Sequence, residues 1–179
     1  MFYLEYKKHP EIRKDVEPLF VSAFPSNERP DPKHYFLSFE KPINQLFAFY
    51  DDDFVGFAST VHYKDICYIF FLAVSEKKRN QGYGSKILNE MKNLFKDDVI
   101  LLCYEEVDDK YPDNDMRKRR AEFYHRNGFT INPLKTNEFG VIFQTAYFGK
   151  HKVSFEDYQE IFKIGFGAWT VDYLKEVKN

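Results

Sequence analysis

The chain is predicted to be a mixed α+β protein built on one central sheet. Three observations predict this. Aromatic and β-branched runs come early and are joined by a short acidic turn, the pattern of antiparallel strands. Later apolar runs alternate with helical patterns, giving strand–helix–strand–helix–strand. No repeat, Ser/Gly-rich linker or low-complexity tract interrupts the 179 residues, so a single domain over 1–179 is expected.

Each element can be justified in turn. "MFYLEY" can pair as a first strand. "HPEIRKDVEPLFVSAF" reads as a helix, with Pro10 near its start and Ile12, Val16 and Leu19 on one face. "PSNERPDPKHY" carries three prolines and reads as a long loop. "QLFAFYDDDFVGFASTVHY" is a hairpin that turns at Asp51 to Asp53. "DICYIFFLAV" is almost continuously apolar, as a central strand should be. "GSKILNEMKNLF" places Ile87, Leu88, Met91, Leu94 and Phe95 on one helical face. "VILLCYEEV" is a strand, and "DMRKRRAEFYHRNGF" a basic helix that Gly128 can close with a left-handed cap. "VIFQTAYF" is a late strand, and "SFEDYQEIFKI" a last helix with Ser154 at its N-cap.

Composition narrows the function classes. A formal charge of -2 argues against a general nucleic-acid binder. Cys67 and Cys103 lie in strand-like runs without zinc-ligand spacing, so they read as buried reduced thiols and no metal is expected. No window approaches the roughly 20 apolar residues of a membrane span, and "MFYLEYKKHP" lacks a signal core. A cytoplasmic protein without nucleic-acid or membrane partners is the expectation. Phe 20 and Tyr 13 are unusually many rings; composition leaves open whether they fill a core or line a cleft.

The stretch with most chemical content is "RNQGYG", Arg79 to Gly84, where a strand gives way to a helix. Such a turn aims unpaired N–H groups outward, and the helix start adds positive dipole character, so it can bind phosphate. Gly82 and Gly84 permit close approach, Lys77, Lys78 and Arg79 supply cations, and Ser85 adds a hydroxyl. An ordinary bend beside a solvated charge run is the competing reading. The phosphate-loop motif needs Gly-Lys-Ser/Thr, but here the order is Gly84-Ser85-Lys86. The dinucleotide fingerprint needs a third glycine where Ile87 stands.

"LAVSEKKRNQGYGSKIL" resembles the acetyl-coenzyme-A-binding motif of the GNAT superfamily of N-acetyltransferases, Arg/Gln-x-x-Gly-x-Gly/Ala between a strand and a helix. Arg79, Gly82 and Gly84 match its marked positions. "RRAEFYHRNGF" resembles the family's later helix, with Tyr124, Gly128 and Phe129 matching. The two motifs stand in the family's order, and the resemblance covers residues 40–150 best. It implies a mostly antiparallel, twisted sheet, splayed at the cofactor site and flanked by helices. It also implies acetyl-CoA as co-substrate and a primary amine of a small molecule or peptide as acceptor, with direct attack in a ternary complex. The backbone at Leu72, Ala73 and Val74 would hold the pantetheine arm. The turn of Arg79, Asn80, Gln81, Gly82, Tyr83, Gly84 and Ser85 would hold the pyrophosphate. Tyr124 would contact the cofactor and protonate the leaving thiolate. The family often has an asparagine where this chain has Arg117, with Asn114 three residues earlier; Arg117 or Arg120 would then take over that contact.

The general base is left between Glu105 and Glu106, which close "VILLCYEEV" on opposite sheet faces, and a water chain. Glu28, in the proline-rich loop, is a third candidate base, since the resemblance places the acceptor side at that loop. Acidic residues in "DDD" and "EEVDDKYPDND" would favour a cationic amine if they lined the site, and otherwise are solvated turns. A non-catalytic acyl-CoA-binding sensor is the alternative function, a nucleotide-binding α/β protein the third. A homodimer is compatible with the late strands and last helix.

Overall fold

The computed structural model describes residues 1–26 and 29–178. It divides into two compact units, Met1–His62 with Ile69–Leu94, and Tyr63–Tyr68 with Phe95–Asn179.

The first unit holds β1 (Phe2–Glu5), α1 (Arg13–Ala23), α2 (Pro32–Leu37), β2 (Asn44–Asp51), β3 (Asp53–Tyr63), most of β4 (Ile66–Val74) and α3 (Tyr83–Leu94). β1 pairs antiparallel with β2, and β2 with β3. The hairpin reverses at Asp52, whose φ of 63° is left-handed, so Asp51 and Asp53 stand opposite each other. The many aromatic rings fill a core. Phe20 stacks on Tyr35 with centroids 4.5 Å apart and meets Phe71 edge-on at 5.2 Å. The Tyr35 hydroxyl donates to Ser59 Oγ at 2.5 Å, and Ser59 Oγ also accepts the Phe71 N–H at 3.2 Å. A buried hydroxyl is tolerable in such a core only when paired in this way.

The proline-rich segment differs from its expected reading as a loop throughout. α2 begins inside it, because Asp31 accepts the His34 N–H at 3.2 Å and Pro32 occupies the first helical position. The prolines there start a helix as much as they break the chain.

The second unit holds the start of β4, β5 (Val99–Glu105), α4 (Asn114–Arg126), β6 (Thr130–Glu138), β7 (Val141–Phe148), α5 (Phe155–Phe166) and β8 (Leu174–Glu176). Ile66, Cys67 and Tyr68 pair in parallel with Val99, Ile100 and Leu101. The β5–β7, β6–β7 and β6–β8 pairings are antiparallel. Ser154 caps α5 by accepting the Asp157 N–H at 3.1 Å. Among the described residues eight strands thus follow the order β1-β2-β3-β4-β5-β7-β6-β8, a mostly antiparallel α+β sheet.

β6 has no counterpart in the sequence reading, since its buried face is largely polar: Asn132, Leu134, Thr136 and Glu138. A buried hydrogen-bond chain starts from this face. Thr136 Oγ1 and the Tyr158 hydroxyl both donate to Glu138 Oε1, at 2.7 and 2.5 Å. Tyr158 thereby leaves its oxygen to accept from Tyr68 at 3.1 Å, and Tyr68 in turn to accept from the Cys103 thiol at 3.1 Å. Burial pushes the Glu138 carboxyl and the Cys103 thiol upward in pKa, favouring their protonated forms. No helix among the described residues is long and apolar enough to cross a membrane.

Candidate functional site

The turn after β4 has two left-handed residues at alternate positions, Asn80 at φ 60° and Gly82 at φ 79°. An added Cβ at Gly82 would meet nothing within 4 Å, so backbone conformation, not crowding, is what calls for glycine there. α3 opens at the next residue, and the Lys86 N–H bonds back to the Gly82 carbonyl at 3.2 Å. The N–H groups of Tyr83, Gly84 and Ser85 therefore precede the helix's own ladder, as an anion cradle requires. Side chains brace the turn from behind. Arg79 Nε donates to the Val74 carbonyl at 3.2 Å, and Gln81 Nε2 to the Lys77 carbonyl at 2.8 Å.

The turn is also tied to the β2–β3 hairpin. The Tyr83 hydroxyl donates to Asp51 Oδ2 at 3.0 Å. Lys86 Nζ lies 4.4 Å and Lys78 Nζ 5.6 Å from the Tyr83 ring centroid. Just before the turn, β3 presses against β4 at Gly56, where a Cβ would fall 2.1 Å from the Ala73 carbonyl oxygen. Glycine at 56 thus lets the two backbones approach at the segment Leu72–Val74.

Tyr124 lies near the end of α4, in the second unit. The Gly128 N–H bonds to the His125 carbonyl at 2.9 Å and the Phe129 N–H to the Tyr124 carbonyl at 3.1 Å, with Gly128 at φ 79°. This is a Schellman cap, and it explains the Tyr-x-x-x-Gly-Phe spacing: it brings Phe129 edge-on to Tyr124 at 6.0 Å. Tyr104 stacks on Tyr124 at 5.8 Å. Burial raises the Tyr124 hydroxyl to about 12, with the Arg120 charge pulling partly the other way. That hydroxyl makes no hydrogen bond among the described residues and stays protonated at neutral pH.

Most of the acidic run after β5 is paired with cations from the run itself, α4 and β6. Glu105 is ion-paired with Arg120. Glu106 receives Lys110 at 2.9 Å, Lys135 at 3.1 Å and the Tyr111 hydroxyl at 3.3 Å. The Lys110 hydrogen bond, aided by Lys135, holds its carboxyl below the usual range despite partial burial. Asp109 pairs with Lys118, and Asp113 with Arg117. Arg117 also donates to the Glu106 carbonyl at 3.2 Å and lies 3.9 Å from the Tyr111 ring centroid. Asn114 is buried and accepts the Asp108 N–H at 3.0 Å. Glu28 lies outside the described residues.

Sequence reading missed Asp51 and Gly56. Gly56 did leave a signal, a lone glycine inside a strand pattern. Asp51 left none that separates it from an ordinary turn acid. The residues present fit a phosphate-bearing co-substrate at the turn: first-turn N–H donors, two left-handed positions, and cations at Lys78 and Lys86.

Residues 42–131 match the model of the acetyltransferase (GNAT) domain. No curated protein sequence matches the chain. Among solved structures, a protein of Bacteroides thetaiotaomicron assigned to the GNAT acetyltransferases is 23% identical, with a TM-score of 0.78 over 93% of this chain and 99% of that one. An aminoglycoside 6′-N-acetyltransferase complexed with coenzyme A is 17% identical, with a TM-score of 0.66 over 85% of this chain and 100% of that one. A variant spermidine N-acetyltransferase of Vibrio cholerae is 10% identical, with a TM-score of 0.61 over 82% of this chain and 94% of that one. At these identities the likeness establishes the fold.

Proposed function

The chain belongs to the GNAT acetyltransferase family, and from that premise we propose that residues 1–179 form one domain that acetylates a primary amine of a small molecule or peptide. Acetyl-CoA supplies the activated acetyl group as co-substrate, and the amine attacks it directly in a ternary complex.

The observation that carries this reading is the turn, where Asn80 and Gly82 adopt left-handed conformations immediately before the first turn of α3. The N–H groups of Gly82 to Ser85 hold the pyrophosphate. The backbone of Leu72, Ala73 and Val74 holds the pantetheine arm. Arg79, Asn80 and Gln81 shape the turn, since Arg79 and Gln81 spend hydrogen bonds on nearby carbonyls. The free hydroxyl of Tyr124 donates its proton to the leaving thiolate. A donor whose pKa is raised to about 12 is always loaded at neutral pH, and the Arg120 charge eases its transient ionisation.

For removal of the amine proton, Glu105 ranks ahead of Glu106. Glu105 has one cationic partner, whereas Glu106 has both oxygens engaged and a lowered pKa. Glu28 contributes to the acceptor side. Aminoglycoside and spermidine N-acetyltransferases among the fold neighbours support a small polyamine or amino sugar as acceptor. The acidic run adds little to that support, because Glu105, Glu106, Asp108, Asp109 and Asp113 already have cations. Two cysteines outside any disulfide suit a reducing, cytoplasmic setting.

The test is thiol release from acetyl-CoA across a panel of polyamines, aminoglycosides, amino acids and peptide N-termini. Turnover with at least one amine class is expected. Tight acetyl-CoA binding without turnover on any of them would convert the reading to a non-catalytic acyl-CoA sensor.

A further inference from the structure

Asp51 closes β2, well before the turn in sequence, yet its carboxylate reaches the residue that opens α3. Tyr83 OH donates to Asp51 Oδ2 at 3.0 Å, and Lys86 Nζ stands 3.9 Å from the same oxygen. Across the hairpin tip Asp53 Oδ2 lies 3.9 Å from Lys78 Nζ. The left-handed residue Asp52 is what presents both carboxylates from so tight a reversal. The Tyr83 ring is shared: one edge is tied by its hydroxyl, and the ammonium groups of Lys78 and Lys86 lie within 5.6 Å of its centroid.

A negative group beside a polyphosphate site repels its ligand, so Asp51 and Asp53 cannot serve binding by charge. They can serve it by geometry. The Tyr83 N–H is one of the first-turn donors, and anchoring its side chain fixes the direction in which that donor points. The same anchor holds two cations close to one aromatic ring, where they would otherwise sample many rotamers.

Resting on the acetyl-CoA-binding reading above, we propose that Asp51 and Tyr83 are positioning residues for the cofactor's phosphates. They act through the backbone of the turn and through Lys78 and Lys86. The Tyr83 side chain then contributes by its bond to Asp51, not by contact with the cofactor.

Three variants separate geometry from charge. Tyr83→Phe keeps ring and charges but loses the bond. Asp51→Asn keeps an acceptor for the Tyr83 hydroxyl while losing the charge. Asp51→Ala loses both. Calorimetry with acetyl-CoA should show Tyr83→Phe and Asp51→Ala weakened about fivefold, the scale of one lost hydrogen bond. Asp51→Asn should stay close to wild type. In steady state the loss should appear in KM for acetyl-CoA with kcat unchanged, a split that general destabilisation does not produce. Equal affinity for Tyr83→Phe, or tighter binding by Asp51→Asn, overturns the proposal and makes Asp51 a competing anion. Wild-type protein that binds no acetyl-CoA would instead overturn the proposed function.

Discussion

Replacing Gly56 by alanine tests whether the contact between β3 and β4 matters for the cofactor. The new Cβ would stand 2.1 Å from the Ala73 carbonyl oxygen, 3.1 Å from the Ala73 carbonyl carbon and 3.0 Å from Val74 Cα. All three are backbone atoms, so no side chain can swing aside. Contacts of this kind keep to 3.0 Å or more, so β4 must withdraw by about 1 Å. Overpacking of that size costs about 2–3 kcal/mol. Urea denaturation followed by circular dichroism reads that loss as a lowered midpoint at constant slope. The displaced segment is the one proposed to hold the pantetheine arm. A shift of about 1 Å there should weaken acetyl-CoA binding at least tenfold. A Gly56→Ala protein within about 0.5 kcal/mol of wild type would refute the packing argument. Loss of stability with unchanged affinity would refute the role of Leu72–Val74.

Tyr124→Phe should lower kcat by about 10- to 100-fold while acetyl-CoA affinity hardly changes; unchanged turnover would remove Tyr124 from the acid role. Glu105→Gln should lower kcat and flatten the acid limb of the pH–rate profile, and an unaltered limb would point to water as proton acceptor. Glu138 gives a pH signature in stability. Burial raises its folded pKa above the ordinary carboxyl value of 4.5, so the folded state holds that proton more tightly. Its contribution is present in full below 4.5 and is lost as pH rises through the folded value. Glu138→Gln keeps an acceptor for Thr136 and Tyr158, and should flatten that decline and exceed wild type in melting temperature on its alkaline side. Equal pH dependence in both proteins would show that Glu138 is not the group responsible.

What the sequence shows depends on whether apolar periodicity and local capping tell the same story. They do for the β2–β3 hairpin, for β4 and α3, and for the Tyr124–Phe129 cap, whose spacing is that of a Schellman motif. They part company at β6, where alternation persists but the inward positions include Asn132, Thr136 and Glu138. These polar groups are buried because each is hydrogen-bonded, Thr136 to Glu138 within the strand and the others to partners on other elements. Asn132 bonds Thr145 and the Val153 carbonyl, and Glu138 bonds Tyr158. Hydrophobic periodicity has no means of registering such a face. At the site, the turn was legible because its glycines are local. The Asp51–Tyr83 tie and the cations on Glu106 are long-range pairings between residue types that on their own describe any protein surface.

The buried chain from Glu138 to Cys103 has a practical consequence for measuring the reaction. A thiol reacts with disulfide reagents through its thiolate, and Cys103, though only half-buried, is held protonated with its proton directed at Tyr68. Cys67 is 0% exposed. In the native protein Cys67 should be silent to a thiol-counting dye and Cys103 slow, because so little of it is thiolate, leaving coenzyme A as the main source of colour during turnover. The same low reactivity makes the dye a conformational probe. A slow gain of two equivalents per chain, the full cysteine content, would count unfolded molecules without any added label.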